Sequence, residues 1–239
     1  MRALAIVHQS DAGPGVFGEE IRDRGWELDE WLISEREEPP GDPFTYDAVL
    51  TFGGAVNVHE RDAHPWIERE LGLLGELLER RTPLLGACLG TQLLAEAAGG
   101  EVRRAAEPEI GWFAVEVEAG ASGDPLLGPP AGVGDADGGF EAFQWHSYEA
   151  IPPPGTAVLA RSSICNQAYR LGERAWGIQF HAEVGPGNAL RWIADWRSDP
   201  DAVRIGLDAE ALRAETEEKI EAWNRFGREL CGRFLDAAG

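Results

Sequence analysis

Apolar positions in the first hundred residues follow two alternating signatures. Short unbroken runs, Ala3 to Val7 and Tyr46 to Phe52, read as strands buried on both faces. Elsewhere the spacing switches to threes and fours. Val16 to Arg24 predicts a helix, and Trp66 to Arg80 predicts another with Ile67, Leu71, Leu74 and Leu78 on one face. Glu27 to Ile33 predicts a further strand, with apolar Leu28, Trp31 and Ile33, and prolines make Glu37 to Gly41 a loop. Strands alternating with helices predict an α/β fold with a mostly parallel central sheet flanked by helices.

From Gly100 the pattern breaks into short strand-like pieces separated by turn residues: Glu101 to Arg104, Gly111 to Val117, Gln144 to Tyr148, Ala157 to Ser162, Gln167 to Tyr169 and Trp176 to Phe180. The most loop-like stretch is Gly128 to Gly139. Helical spacing returns at Asn188 to Trp196. After Ser198-Asp199-Pro200 it runs from about Asp208 to Leu235, with Leu212, Ile220, Trp223, Phe226, Leu230 and Phe234 as a stripe. The expected organisation is one domain over residues 1–197 and a helical extension, 198–239, packed on its core.

One apolar run ends in chemistry. Pro83-Leu84-Leu85 passes into Gly86-Ala87-Cys88-Leu89-Gly90, and a helical pattern follows from Thr91 to Ala98. A sharp strand-to-helix turn of this kind lifts one side chain above a parallel sheet. Gly86 and Gly90 let the helix approach the strand closely. Cys88 then sits at a helix N-terminus, where the dipole favours the reactive thiolate. A buried structural cysteine is the competing reading. A second run, Ala175 to Phe180, leads into His181-Ala182-Glu183. Read as a strand end, it puts His181 and Glu183 on one face. Histidine would take the thiol proton and return it to a leaving amine, and the carboxylate would orient the ring.

Composition narrows the function classes. There are 42 acidic against 21 basic residues, a formal charge of −21, which argues against nucleic-acid and anionic-membrane partners. Lys219 is the only lysine. Three widely spaced cysteines, Cys88, Cys165 and Cys231, suggest no disulfide framework and a reducing, cytoplasmic setting. Cys165 and Cys231 read as packing residues. The sequence begins directly with a strand and shows no signal-peptide pattern, no apolar run of membrane-spanning length and no metal-ligand spacing.

Gly86-Ala87-Cys88-Leu89-Gly90-Thr91-Gln92 together with Gln179-Phe180-His181-Ala182-Glu183 resembles the class I, triad-type glutamine amidotransferases, and most nearly their free-standing GMP-synthase-like branch. Phe52-Gly53-Gly54, Glu109-Ile110-Gly111-Trp112 and Gln144-Trp145-His146-Ser147-Tyr148 belong to the same likeness, which covers roughly the first four-fifths of the chain. There are departures. Ala182 stands where the family commonly has proline, Gly53-Gly54-Ala55 where many members have Gly-Gly-Pro, and His146-Ser147-Tyr148 where many have His-Gly-Asp. The last change falls in the substrate pocket.

The resemblance implies a flavodoxin-like fold, a Cys88–His181–Glu183 triad and cleavage of a glutamine side-chain amide through a thioester, with release of ammonia. The backbone N–H after the nucleophile, at Leu89, is one candidate donor to the oxyanion, and the family likeness favours Gly54 for the other. Gln92, one helical turn beyond Cys88, and the Trp145–Tyr148 segment would hold the amino-acid end of the substrate. His146 is pocket lining rather than a second base, and Glu109 helps position a pocket wall. His8, His59 and His64 receive no role. No cofactor is expected. Any ammonia-accepting synthetase would be a separate chain. Two alternatives stay open: a γ-glutamyl hydrolase or peptidase using the same triad, and a non-enzymatic binding or chaperone-like protein on the same scaffold.

Overall fold

The computed structural model describes residues 1–128 and 139–239. Most of the stretch read from sequence as the most loop-like, Gly128 to Gly139, lies outside the described residues. The elements, in chain order, are β1 (Arg2–Val7), α1 (Gly15–Asp23), β2 (Glu27–Leu32), β3 (Ala48–Thr51), α2 (Trp66–Glu79), β4 (Leu84–Ala87), α3 (Leu89–Ala97), β5 (Glu101–Val117), β6 (Gly139–Ile151), β7 (Ala157–Arg161), β8 (Asn166–Leu171), β9 (Ala175–Ile178), α4 (Pro186–Ala194), α5 (Pro200–Arg204) and α6 (Ala209–Ala238).

Among the described residues, nine strands form one sheet in the order β2-β1-β3-β4-β9-β8-β7-β5-β6. The first five in that order are parallel, and β8, β7, β5 and β6 continue it antiparallel. The apolar run of β1 shows why the parallel half is buried on both sides. Ala3, Ala5 and Val7 join the cluster formed with α1, α4 and α6, while Leu4 and Ile6 join the cluster formed with α2 and α3. Successive side chains point to opposite faces, so a strand covered twice must be apolar throughout.

The two short strands expected over 101–104 and 111–117 are one strand, β5, whose register against β6 slips between Arg104 and Glu109. Pro108 lies in that interval, and a residue without an N–H is tolerated within a sheet at such a bulge. Strand β6 is likewise longer than the Gln144–Tyr148 segment suggested. Helix α5 was not expected from the sequence. Its signal was in Ser198-Asp199-Pro200, because Asp199 caps the helix by accepting from the N–H of Asp201 at 2.8 Å and of Ala202 at 3.3 Å, with proline in the first turn.

The long C-terminal helix forms as its apolar stripe predicted. Leu212, Ile220, Trp223, Phe226, Leu230 and Phe234 are all buried in the cluster shared with α1 and the sheet. Trp223 meets Trp112 edge to face at 5.7 Å and Phe180 at 5.8 Å. Such pairs add about 0.5–1.5 kcal/mol each beyond the area they bury. Helix α6 therefore reaches under the loop that follows β9, where half of the site is built.

Candidate active site

The site lies beyond the carboxyl ends of β3, β4 and β9, where ligands of open α/β sheets bind. Between β4 and α3 the chain reverses at Cys88, which adopts φ 50° and ψ −108°. A non-glycine residue held there costs about 1–3 kcal/mol. Its surroundings hold it there. The Cys88 N–H donates to Ile178 O at 2.9 Å, and the Gly90 N–H to Phe52 O at 2.9 Å, so the turn is pinned to the ends of β9 and β3. A Cβ on Gly90 would stand 2.1 Å from Thr51 O, and one on Gly86 2.6 Å from Gly90 O. The close approach inferred from the glycines is what the turn requires.

His181 and Glu183 do come together, but not as a strand end. Strand β9 stops at Ile178, and both residues belong to the irregular segment after it. Their pairing comes from direct contact, with His181 Nδ1 2.7 Å from Glu183 Oε1. Three elements grip the segment. The His181 N–H donates to Phe143 O of β6 at 2.9 Å, and the Val16 N–H of α1 donates to Glu183 O at 2.9 Å. From α6, Trp223 Nε1 donates to His181 O and Asn224 Nδ2 to Val184 O, each at 2.8 Å. Gly227, also on α6, lies so close that a Cβ there would stand 2.0 Å from Ala182 O. The apolar stripe of α6 was legible in the sequence; this clamp was not.

The His181 ring, hydrogen-bonded to Glu183, lies with Cys88 against the turn after β3, since a Cβ on Gly53 would stand 2.9 Å from His181 Cε1 and 3.7 Å from Cys88 Cβ. It stands edge-on to Trp192 with centroids 4.9 Å apart. Burial alone would push the imidazole pKa down. The charges of Cys88 and Glu183, with their hydrogen bonds, overcome that and hold it well above its ordinary value. The arrangement favours the imidazolium form of His181. A thiolate so placed can attack a carbonyl carbon, and the imidazolium can protonate the departing amine.

The remaining candidates line one pocket of about 720 Å³ that contains Cys88 and His181. Leu89 is the first residue of α3, where an N–H has no intrahelical acceptor. Gly54 lies against it, since a Cβ there would be 3.0 Å from Leu89 Cδ2. Gln92 lines the pocket with its amide nitrogen committed, donating to Tyr148 O at 3.0 Å. Trp145 Nε1 donates to Asp199 Oδ2 at 2.8 Å, its carbonyl lies 3.8 Å from Cys88 Sγ, and Ser147 lines the same pocket as Asp201. The far wall was not foreseen from the sequence: there α5 contributes Asp201 and Arg204 opposite Arg104.

His146 is tied back rather than free. Its Nδ1 is 3.0 Å from Tyr148 O and its Nε2 3.2 Å from Glu109 Oε2. Burial pushes the Glu109 pKa up, but the hydrogen bond and charge of His146 bring it below its ordinary value. Cys165 is 3.2 Å from the same carboxylate oxygen, and burial together with that charge raises its thiol pKa strongly. Glu109, His146 and Cys165 offer donor atoms within 4.8 Å of one another, a set that would interest a metal ion. The same Glu109 oxygen already accepts from Gln167 Nε2 at 2.7 Å. A protonated thiol and an amide donor make this a buried hydrogen-bond network rather than a ligand set.

Residues 20–196 match the family Glutamine amidotransferase class-I. The chain belongs to that family. The glutamine amidotransferase of Thermotoga maritima, known from its crystal structure, superposes with a TM-score of 0.85 at 27% identity, covering 99% of this chain and 98% of that one. One subunit of the glutamine-hydrolyzing GMP synthase of Methanoculleus marisnigri is 32% identical over 164 residues, 67% of this chain and 78% of the relative. The gamma-glutamyl-L-1-hydroxyisopropylamide hydrolase of a Pseudomonas species is 32% identical over 148 residues, 58% of this chain. That match spans about half, 48%, of the hydrolase's own length. The α/β sheet, its flanking helices and the C-terminal helix are those of class I amidotransferase structures. Among the described residues no helix is long and apolar enough to cross a membrane.

Proposed function

We propose that this protein is a cysteine hydrolase of γ-glutamyl amides, working as a glutamine amidotransferase with a Cys88–His181–Glu183 triad. The observation that carries the reading is that Cys88 and His181 line one pocket while Glu183 Oε1 holds His181 Nδ1 at 2.7 Å. Cys88 Sγ attacks the side-chain carbonyl. The oxyanion that forms is met by the N–H groups of Leu89 and Gly54. His181 protonates the leaving nitrogen, ammonia departs, and water clears the thioester through a second oxyanion. Glu183 keeps the ring oriented. Gln92 and the Trp145–Tyr148 strand segment border the space for the amino-acid end of the substrate. An ammonia acceptor, where the product is used, is a separate synthetase, by analogy with the GMP synthase relative, itself one subunit of its enzyme. Three free, buried cysteines fit a reducing cytoplasm.

A second substrate reading has its own support. The pocket's 720 Å³ is of the size that accommodates drug-sized ligands rather than one amino acid. A γ-glutamyl amide with a larger amine portion fits that volume, in line with the hydrolase relative. A kinetic panel of glutamine, γ-glutamyl dipeptides, γ-glutamyl alkylamides and asparagine separates the two. Glutamine turnover at the highest kcat/KM supports the amidotransferase reading, and turnover confined to the larger amides supports the hydrolase. Activity on asparagine or α-peptides above all γ-glutamyl compounds would refute both.

A further inference from the structure

The turn after β3 rests on a buried charged pair that the triad does not use. His8, immediately after β1, is 5% exposed, and Glu70 of α2 is fully buried. His8 Nε2 lies 2.7 Å from Glu70 Oε2, and Thr51 Oγ1 donates to Glu70 Oε1 at 2.6 Å. The other ring nitrogen, Nδ1, lies 3.1 Å from Gly53 O. The ring is stacked on Trp66, with centroids 4.9 Å apart and 24° between planes. Both ring nitrogens therefore face acceptors, which suits a doubly protonated ring. Burial works against that charge, and the Glu70 carboxylate with the backbone carbonyls restores it, so that the His8 pKa stands above its ordinary value.

The atom His8 holds decides where a second atom points. Gly53 O and the Gly54 N–H belong to one peptide plane, and in a trans peptide they project in opposite directions. A carbonyl fixed toward His8 turns the Gly54 N–H away from it. Gly53 is also where the turn meets the triad, because a Cβ there would stand 2.9 Å from His181 Cε1 and 3.7 Å from Cys88 Cβ. Two glycines in succession leave that peptide free to rotate unless something holds it.

We infer that His8, backed by Glu70 and Thr51, is a positioning residue that locks the Gly53–Gly54 peptide with its N–H presented to the oxyanion. The inference rests on the proposed function, since it assigns the source of order in one of that site's two donors. His8 touches no reacting atom. It acts at the transition state alone, because the oxyanion exists only there.

The test compares wild type with Glu70→Gln and with His8→Phe/Glu70→Gln. The double variant keeps an aromatic ring on Trp66 and leaves no unpaired charge in the core. Glu70→Gln alone keeps a ring N–H on Gly53 O and serves as the conservative control. In the double variant, kcat for the best γ-glutamyl substrate should fall about 100-fold, the effect of losing one oxyanion donor, with KM within about threefold. Glu70→Gln should stay within about tenfold of wild type. Alkylation of Cys88 by iodoacetamide forms no oxyanion at a carbonyl, so its rate should stay within about threefold throughout. A crystal structure of the double variant should show the Gly53–Gly54 peptide rotated or in two orientations, with Cys88, His181 and Glu183 in place.

A kcat fall matched by an equal fall in alkylation overturns the inference, as does unchanged kcat or an unmoved peptide. Acylation of Cys88 by p-nitrophenyl acetate is followed in parallel, since it needs the oxyanion donors and no γ-glutamyl recognition. Wild-type protein that is acylated yet turns over no γ-glutamyl compound would defeat the proposed function. The acylation rates and the peptide orientation would then still decide the role of His8.

Discussion

The two halves of the candidate site are built by opposite means. The Cys88 turn is local: Gly86, Cys88 and Gly90 lie within five residues, and two backbone hydrogen bonds fasten the turn to neighbouring strand ends. The His181–Glu183 segment has no regular structure of its own. Trp223, Asn224 and Gly227, some forty residues later, hold it against the sheet, and Val16 and Phe143 hold it from the other sides. A nucleophile can be specified by a short motif because it needs only a strained turn. A base must be aimed at that nucleophile, and its aim is set by whatever packs against its loop.

The largest expected effect tests the local half. Cys88→Ala should remove γ-glutamyl hydrolysis by about 10⁶-fold, since triad members act as a unit. Thermal unfolding should find the variant as stable as wild type. Cys88→Gly sharpens the point. It removes a Cβ from a backbone at φ 50°, which relieves about 1–2 kcal/mol and more than offsets the flexibility glycine adds to the unfolded chain. Cys88→Gly should therefore melt above Cys88→Ala while remaining inactive. The reverse order would mean that the turn stores no strain.

Next in size is the aim of the base. His181→Ala should be nearly as damaging as loss of Cys88. Glu183→Gln should cost less, up to about 10⁴-fold, because the carboxylate orients and charges the ring without exchanging its proton. The pH profile gives the sign. The His181 pKa is held above its ordinary value by Cys88 and Glu183 against the effect of burial. The imidazolium persists as pH rises past that ordinary value and is lost only as pH passes the raised one. Removing the Glu183 charge removes one of the two supports. The alkaline limb of kcat/KM should then move to lower pH in Glu183→Gln. A limb that stays in place or moves up would assign the raised value to something else.

This contrast also explains what the sequence could reveal. The parallel strands and their helices were legible because burial on two faces demands unbroken apolar runs, as in Ala3 to Val7, and the elbow was legible because its glycines lie beside its cysteine. The His181–Glu183 pairing was anticipated by spacing, but for a reason that does not apply, since β9 ends three residues before His181. The bulge at Pro108 that makes one strand of two, the α6 clamp and the His8–Glu70 pair all depend on partners between about 40 and 60 residues away. No local pattern encodes such partners. The stripe on α6 showed that Trp223 would be buried, and could not show that its N–H ends on His181 O.

The distant half can be broken from its far side. Gly227→Ala places a Cβ where Ala182 O now stands, at 2.0 Å. Backbone cannot yield as a side-chain tip can, so α6 or the loop must move by about an ångström. Misplacement on that scale can cost about 100-fold in rate, with about 1–3 kcal/mol of stability lost to overpacking. The Cys88 turn itself should keep its geometry, because its two fastening hydrogen bonds run to Phe52 O and Ile178 O rather than to α6. If Gly227→Ala leaves kcat within a factor of two, the clamp does not aim His181.

The smallest effect is the most selective. Trp223→Phe keeps an aromatic ring against Trp112 and Phe180 but removes part of the indole, including the Nε1–H that donates to His181 O at 2.8 Å. Trp223 is 2% exposed and His181 3%, so water has little access to replace the lost donor. A buried carbonyl left unsatisfied costs about 1–3 kcal/mol, which should appear as a lower melting temperature at unchanged fold. The kinetic consequence should be smaller than for Gly227→Ala, because the Phe143, Val16 and Asn224 hydrogen bonds to the segment remain. A fall in kcat of about three- to tenfold is expected for a ring slightly freer to turn away from Cys88. Combining Trp223→Phe with Glu183→Gln gives the decisive reading. If both act by aiming one ring, the second change should cost less in the presence of the first than alone, a non-additivity expected of residues that share a partner. Strict additivity would separate the hydrogen bond to the His181 carbonyl from the orientation of its ring, and would return Trp223 to a purely structural role.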